Sequence, residues 1–129
     1  MLPRRFYETY IKPCKKLRLV DLPSVEPDKE IRIEKTLLDW RIYYTPLFKK
    51  KEQCISCKSE LEAKYLAVWL KYDVNSIGVP TDEEDLAKVV PLLEKLEQKV
   101  KAVLDEDLVG YSRKVQRQVT QGIWEVATQ

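Results

Sequence analysis

Cys54-Ile55-Ser56-Cys57 leads into Ser59-Glu60-Leu61-Glu62, and Ile77-Gly78-Val79-Pro80 leads into Thr81-Asp82-Glu83-Glu84. Each stretch joins a short β-prone run to a capping box, in which a Ser or Thr hydroxyl and an acid three residues later satisfy orphan helix donors reciprocally. A strand, a helix of about a dozen residues and a second strand form a crossover, and crossovers imply parallel pairing. The expected fold class is therefore α+β, with a small mixed sheet. Its order is an N-terminal helix, a three-strand meander, a crossover helix and a fourth strand, with C-terminal helices packed on the sheet.

Upstream, Ile31 to Tyr44 has period two, with Ile31, Ile33, Leu38, Trp40, Ile42 and Tyr44 alternating against Arg32, Glu34, Asp39, Arg41 and Tyr43. Such alternation marks half-buried strands. Thr45-Pro46 interrupts, Lys49-Lys50-Lys51 reads as an exposed turn and Gln53 to Cys57 resumes β character, so 38–57 is a hairpin with the lysines at its tip. Residues 4–12, with Phe6, Tyr7 and Tyr10 at helical spacing before Pro13, predict a short helix packed by its aromatics. The Pro-rich segment 21–30 reads as a connecting loop.

Downstream, Leu61, Tyr65, Leu66, Val68, Trp69, Leu70 and Tyr72 give the helix after Ser59 a broad apolar face, which implies deep burial. Leu86, Val89, Leu93, Leu96, Val100 and Val103 then alternate by three and four, matching a heptad seam. Pro91 lies inside this run and either kinks one helix over 82–104 or divides it. Gly110 breaks the chain, Ser112 can cap, and Val115, Val119, Ile123 and Val126 give a last amphipathic helix. The expected organisation is a single domain over 1–129: a basic arm and loop (1–30), the α+β core (31–104) and a C-terminal helix (105–129).

The chain has 129 residues, of which 44% are apolar and 34% charged, with three Cys and no His. The length suits one core, and no run is long and apolar enough for a membrane span or a signal peptide, so a cytoplasmic protein is expected. Abundant Lys and Glu resemble the bias of heat-adapted proteins. Without His, any catalysis must use carboxylates, Lys, Tyr or Cys. Residues 1–58 carry 14 Lys or Arg against 8 Asp or Glu, whereas 59–129 carry 9 against 13. Such polarity orients a molecule toward polyanions or toward a second copy of itself.

Cys54-x-x-Cys57 has the spacing of half a zinc site or a redox pair, but residues three apart on a strand face opposite ways and only Cys14 offers another thiol. Bland thiols are the expectation, with no metal. Asp105-Glu106-Asp107 lacks ordered ligand spacing and reads as a solvated helix end. Arg4, Arg5, Lys12, Lys15, Lys16, Arg18, Lys49, Lys50, Lys51 and Lys58 allow two readings: a phosphate-binding surface, or a solvated arm and an aggregation-resistant tip. Trp40, Tyr43 and Tyr44 either stack on unpaired bases or belong to the core, and core is favoured.

The order of helix, three strands, helix and strand, with Asp39 and Ser56-Cys57-Lys58 at the corresponding places, resembles the core of the PD-(D/E)xK nuclease superfamily. That resemblance implies a metal-binding Asp39 and a water-activating Lys58. Ser56 stands where the family has its Glu, which implies a degenerate, binding-only relative. A nuclease would have to recruit Glu34 or Glu52 as the second ligand of Mg²⁺ or Mn²⁺. Glu62-Ala63-Lys64 also spells the motif, but helical geometry makes its side chains diverge. Ser59-Glu60-x-Glu62-Ala63-x-Tyr65-Leu66-Ala67-x-x-Leu70 resembles a helix of the C-terminal recognition region of restriction-modification adenine DNA methyltransferases. The Asn-Pro-Pro-Tyr motif and a Gly-rich cofactor loop are missing, so it implies contact with nucleic acid rather than methyl transfer.

The expected function is thus a non-catalytic, DNA- or other nucleic-acid-binding protein acting through the basic arm and hairpin tip, without a cofactor. The alternatives are a homodimeric structural or adaptor protein using the seam from Leu86 to Val103, and a metal-dependent nuclease built on Asp39 and Lys58. No membrane partner is expected.

Overall fold

The period-two stretch divides at Thr36, where the Thr36 N–H bonds the Asp39 carbonyl at 2.8 Å and turns the chain back. The computed structural model describes residues 6–14, 16–26, 29–72, 74–106, 110 and 112–127, with the backbone alone at 104–106, 113, 117, 121 and 124–127. Strands β2 (Arg32–Lys35), β3 (Trp40–Tyr44) and β4 (Gln53–Cys57) follow one another as the expected antiparallel meander. The register aligns Ile33, Ile42 and Ile55 in one row across all three strands. That row faces the core, where Ile42, Tyr44 and Cys57 are buried. The alternate rows, Arg32–Tyr43–Cys54 and Glu34–Arg41–Ser56, lie on the other face.

Helix α1 (Glu60–Lys71) follows and is the centre of the molecule. Its stripe widens until Ala63 and the run from Tyr65 to Leu70 are all buried, as a helix that is apolar nearly all round requires. It packs on the meander, on β5 (Ser76–Pro80) and on the next helix, α2 (Glu83–Glu106). The Tyr65 hydroxyl donates to the Gly78 carbonyl at 2.7 Å, and burial holds this phenol well above its ordinary pKa. A side chain at position 78 would meet the Tyr7 hydroxyl at 2.6 Å, so glycine is what permits this approach.

The α+β class stands, but the mixed sheet with its parallel crossover does not. β5 pairs antiparallel with β1 (Leu17–Asp21), in register from Leu17 opposite Pro80 to Asp21 opposite Ser76, and the two form a separate sheet. The crossover expectation assumed that consecutive strands become neighbours; α1 instead carries β5 to a partner about sixty residues earlier in the chain. The basic arm supplies that partner as a strand.

Only half of the first capping box forms, and neither half of the second. The Ser59 hydroxyl accepts the Glu62 N–H at 3.2 Å, but the Glu62 carboxylate accepts from Arg18 of β1 at 2.8 Å. At the second box the Asp82 carboxylate takes the Glu84 N–H at 2.9 Å, while the Thr81 hydroxyl turns to the Lys16 carbonyl.

α2 runs unbroken through Pro91. Pro91 and Ala87, whose carbonyl loses its donor, are both exposed, so water can serve the orphaned group. Leu86, Val89, Leu93, Leu96 and Val100 are buried in the chain's own core, with Val103 half-buried. The seam on which the homodimer alternative rested is therefore spent internally, because α1 lies on it. Lys64–Glu94 and Lys71–Glu97 ion pairs, each 3.5 Å, link α1 to α2 along that contact.

Helix α3 (Arg113–Ala127) packs back on α2, its first turn capped by the Ser112 hydroxyl and the break before it made by Gly110 at φ +89°. At the N-terminus a π-type turn, Tyr7–Ile11, replaces the expected short α-helix and packs by aromatics as foreseen. The Phe6 ring lies 4.9 Å from Tyr10 and 6.4 Å from Trp69. No helix among the described residues is long and apolar enough to cross a membrane.

Candidate functional site

Because β-strand side chains alternate, the meander collects its chemistry on the face away from α1. Arg32 sits between two acids, with Nε 3.0 Å from Glu34 and Nη1 2.7 Å from Glu52, and its guanidinium lies 4.7 Å from the centre of the Tyr43 ring. At one end of this face, Asp39 accepts from Ser56, from the Thr36 hydroxyl at 2.6 Å and from Arg41 Nε at 3.2 Å. The hydrogen bonds from Ser56 and Thr36, with the charge of Arg41, hold the Asp39 carboxyl below the usual carboxylate range. Exposed pairs of this kind add little stability. They do consume the arginines.

The register makes Trp40 opposite Cys57 the last pair of the ladder, so Asp39 and Lys58 are the next opposed positions. Those two nuclease candidates are thus neighbours. Glu34 pairs with Arg41, diagonal to Asp39, and its carboxylate is turned to Arg32. Glu52 precedes the far end of β4 and lies roughly 20 Å along the strand from Asp39 at about 3.3 Å per residue. Ser56 commits its hydroxyl to Asp39. Among the described residues no three His, Cys, Asp or Glu side chains gather closely enough to hold a metal ion.

Cys54 is exposed and Cys57 buried, as opposite faces of a strand require. Burial, with Glu62 nearby, pushes the Cys57 thiol up to about 12, so it stays protonated and unreactive. Cys14, half-buried in another part of the fold, is also raised by burial and by Asp85. Of the aromatics weighed for stacking, Tyr44 is core, Trp40 is half-buried on the core face with Lys35 over its ring, and Tyr43 alone faces outward.

The β3–β4 connection, at the other end of the meander, is built differently. The Lys49 N–H bonds the Pro46 carbonyl at 3.0 Å, closing a four-residue turn. Its third residue, Phe48, has φ +62° and is 91% exposed. Backbone from 24–26 tethers the loop: Glu26 N–H to the Thr45 carbonyl at 2.9 Å, Leu47 N–H to the Ser24 carbonyl at 3.0 Å, and a bridge between Val25 and Pro46. The Glu26 carboxylate accepts the Phe48 N–H at 2.6 Å. Lys49, Lys50 and Lys51 follow, all exposed and none with an acidic partner among the described residues.

Two of the other basic candidates stand apart from this tip. Arg18 is committed to the largely buried Glu62, and Lys58 lies at the opposite end of β4, roughly 20 Å away by strand length. Lys12 is exposed at the end of the N-terminal turn and Lys16 just before β1, where the Lys16 carbonyl accepts the Thr81 N–H. Arg4, Arg5, Lys15 and Asp107 lie outside the described residues, as do the side chains of Asp105 and Glu106.

Sequence reasoning missed Phe48 and its tether. The available signal was Pro46-Leu47-Phe48 immediately before a lysine run: a turn position places apolar side chains where no core can receive them. Comparison with protein-family models, curated proteins and solved structures returns no match.

Proposed function

We propose that this protein binds nucleic acid without catalysis, with the loop carrying Lys49, Lys50 and Lys51 as its principal phosphate contact. The observation that carries this reading is the sorting of the cations: Arg18, Arg32 and Arg41 are all engaged by acids, whereas the three consecutive lysines are exposed on a tethered loop with no acidic partner among the described residues. Cations left unneutralised and held in place release counterions from a polyanion at low ordering cost. The charge excess of residues 1–58 supports the same reading. Lys12, Lys16 and Lys58 are secondary contacts in it.

The nuclease reading has less support, since among the described residues no second acid gathers with Asp39 to hold a metal, and Asp39 is already engaged by Ser56, Thr36 and Arg41. The homodimer reading loses the buried seam on which it rested.

A binding titration of the parent and a Lys49→Gln/Lys50→Gln/Lys51→Gln variant, on duplex and single strand at several salt concentrations, tests the proposal. The parent is expected to bind with a negative slope of log K against log salt. The variant is expected to bind more weakly, with a slope shallower by roughly two to three. Binding that ignores salt, or an unchanged slope in the variant, removes it.

A further inference from the structure

Resting on the nucleic-acid reading, we infer that Phe48 is a stacking platform for an unpaired base, so that the loop prefers single-stranded to double-stranded nucleic acid. The third position of such a turn is normally Gly or Asn, because a left-handed φ brings a β-carbon against the backbone. Phe48 holds φ +62° there and is 91% exposed, so its side chain contributes almost no burial to the fold. Strain of this kind persists only where the surroundings impose it, and here they do, through the Glu26 carboxylate on the Phe48 N–H and the bonds of Leu47 to Ser24 and of Thr45 to Glu26. The result is an aromatic side chain held out to solvent by a fixed backbone, directly before three lysines without an acidic partner among the described residues.

That pairing of groups fits a nucleotide in one step: a base on the ring, its phosphates on the ammonium groups. Stacking on an aromatic needs a base with a free face, which a duplex offers only at its ends. A lipid surface also has phosphates, but interfacial anchoring draws on an extended apolar face. Beside Phe48, Leu47 is only 37% exposed, leaving essentially one ring.

The test compares the parent, Phe48→Gly and Phe48→Tyr on four probes: a labelled single strand, the same strand with abasic sites, the matching duplex, and phosphatidylserine vesicles. Glycine removes the ring and suits the left-handed backbone, so the fold is retained; tyrosine keeps the ring. The parent is expected to bind the single strand roughly 5- to 100-fold more tightly than the abasic strand. Phe48→Gly should lose that ratio while keeping its duplex affinity, and Phe48→Tyr should keep both. The lysine triple variant should weaken strand, abasic strand and duplex together and leave the ratio in place. A parent that binds duplex and strand with no base-dependent ratio, or a Phe48→Gly variant that keeps the ratio, overturns the stacking role alone. A ring-dependent affinity for vesicles without a base-dependent ratio assigns the ring to lipid and overturns it too. A parent that binds none of the nucleic acids removes the underlying reading as well.

Discussion

The two ends of the meander solve the same problem, reversing an antiparallel strand, in opposite ways. At the β2–β3 turn the side chains do the work: the Thr36 hydroxyl accepts N–H groups of Leu38 and Asp39 and donates to the Asp39 carboxylate, which also binds Ser56 and Arg41. At the β3–β4 turn the backbone of 24–26 does most of it, and among the side chains of the described residues only the Glu26 carboxylate takes part. The first arrangement closes its polar groups on one another and leaves Leu37 and Leu38 outside. The second leaves three ammonium groups and a phenyl ring outside. A turn held by its own side chains has nothing polar left to offer a ligand, whereas a turn held by a neighbouring segment keeps its side chains free.

The largest consequence falls on stability at the self-closed end. Thr36→Ala removes the acceptor for two N–H groups and one donor to Asp39, and should cost about 1–2 kcal/mol, read as a lower urea midpoint. A midpoint equal to the parent's would mean that the turn is held by its strands alone. The same network predicts acid sensitivity. Because the folded-state Asp39 pKa is depressed, its contribution is present above the unfolded carboxylate pKa and is lost as pH falls through the folded one, below about pH 4. The stability gap between the parent and Asp39→Asn should therefore narrow between pH 5 and pH 2.5. Parallel curves over that range would assign the cost of the substitution to something other than the carboxylate charge.

At the tethered end the sign should reverse. Phe48→Gly exchanges a side chain that buries almost nothing for one that tolerates φ +62°, and should raise stability by about 0.5–1 kcal/mol even though the unfolded chain gains freedom. A destabilised variant would show that the ring supports the loop, and the contrast between the ends would shrink.

How much of this was legible follows from the range of the interactions. The meander, α1, the seam of α2, the cap at Ser112 and the break at Gly110 are all written in local periodicity and turn chemistry, and each is found where expected. β1 was not legible: Leu17-Arg18-Leu19-Val20-Asp21 alternates over only five residues between lysines and a Pro-rich loop, and its partner is β5, far along the chain. The candidate site divides in the same way. That Lys49 to Lys51 form a hairpin tip follows from the strands flanking them. That Arg18 is lost to Glu62, that Lys58 stands at the other end of β4, and that Glu26 holds Phe48 in a left-handed conformation are long-range facts that no window of sequence contains.

The smallest expected effect is the one that isolates the comparison best. Leu37 and Leu38 are exposed to 105% and 92%, so a Leu37→Ser/Leu38→Ser variant surrenders almost no buried area and should match the parent's stability within about 0.5 kcal/mol. It should also match the parent's affinity for single strand and duplex, because the leucines carry no charge and their turn lies at the far end of the strands from the lysines. The double variant and the lysine triple variant thus remove side chains from the two ends of one sheet, and only the second should change binding. Equal losses from both would mean that the ligand runs the length of the outer face, across Tyr43 and its flanking arginines. The difference between a closed end and an open end would then describe how the turns are built but not what they do.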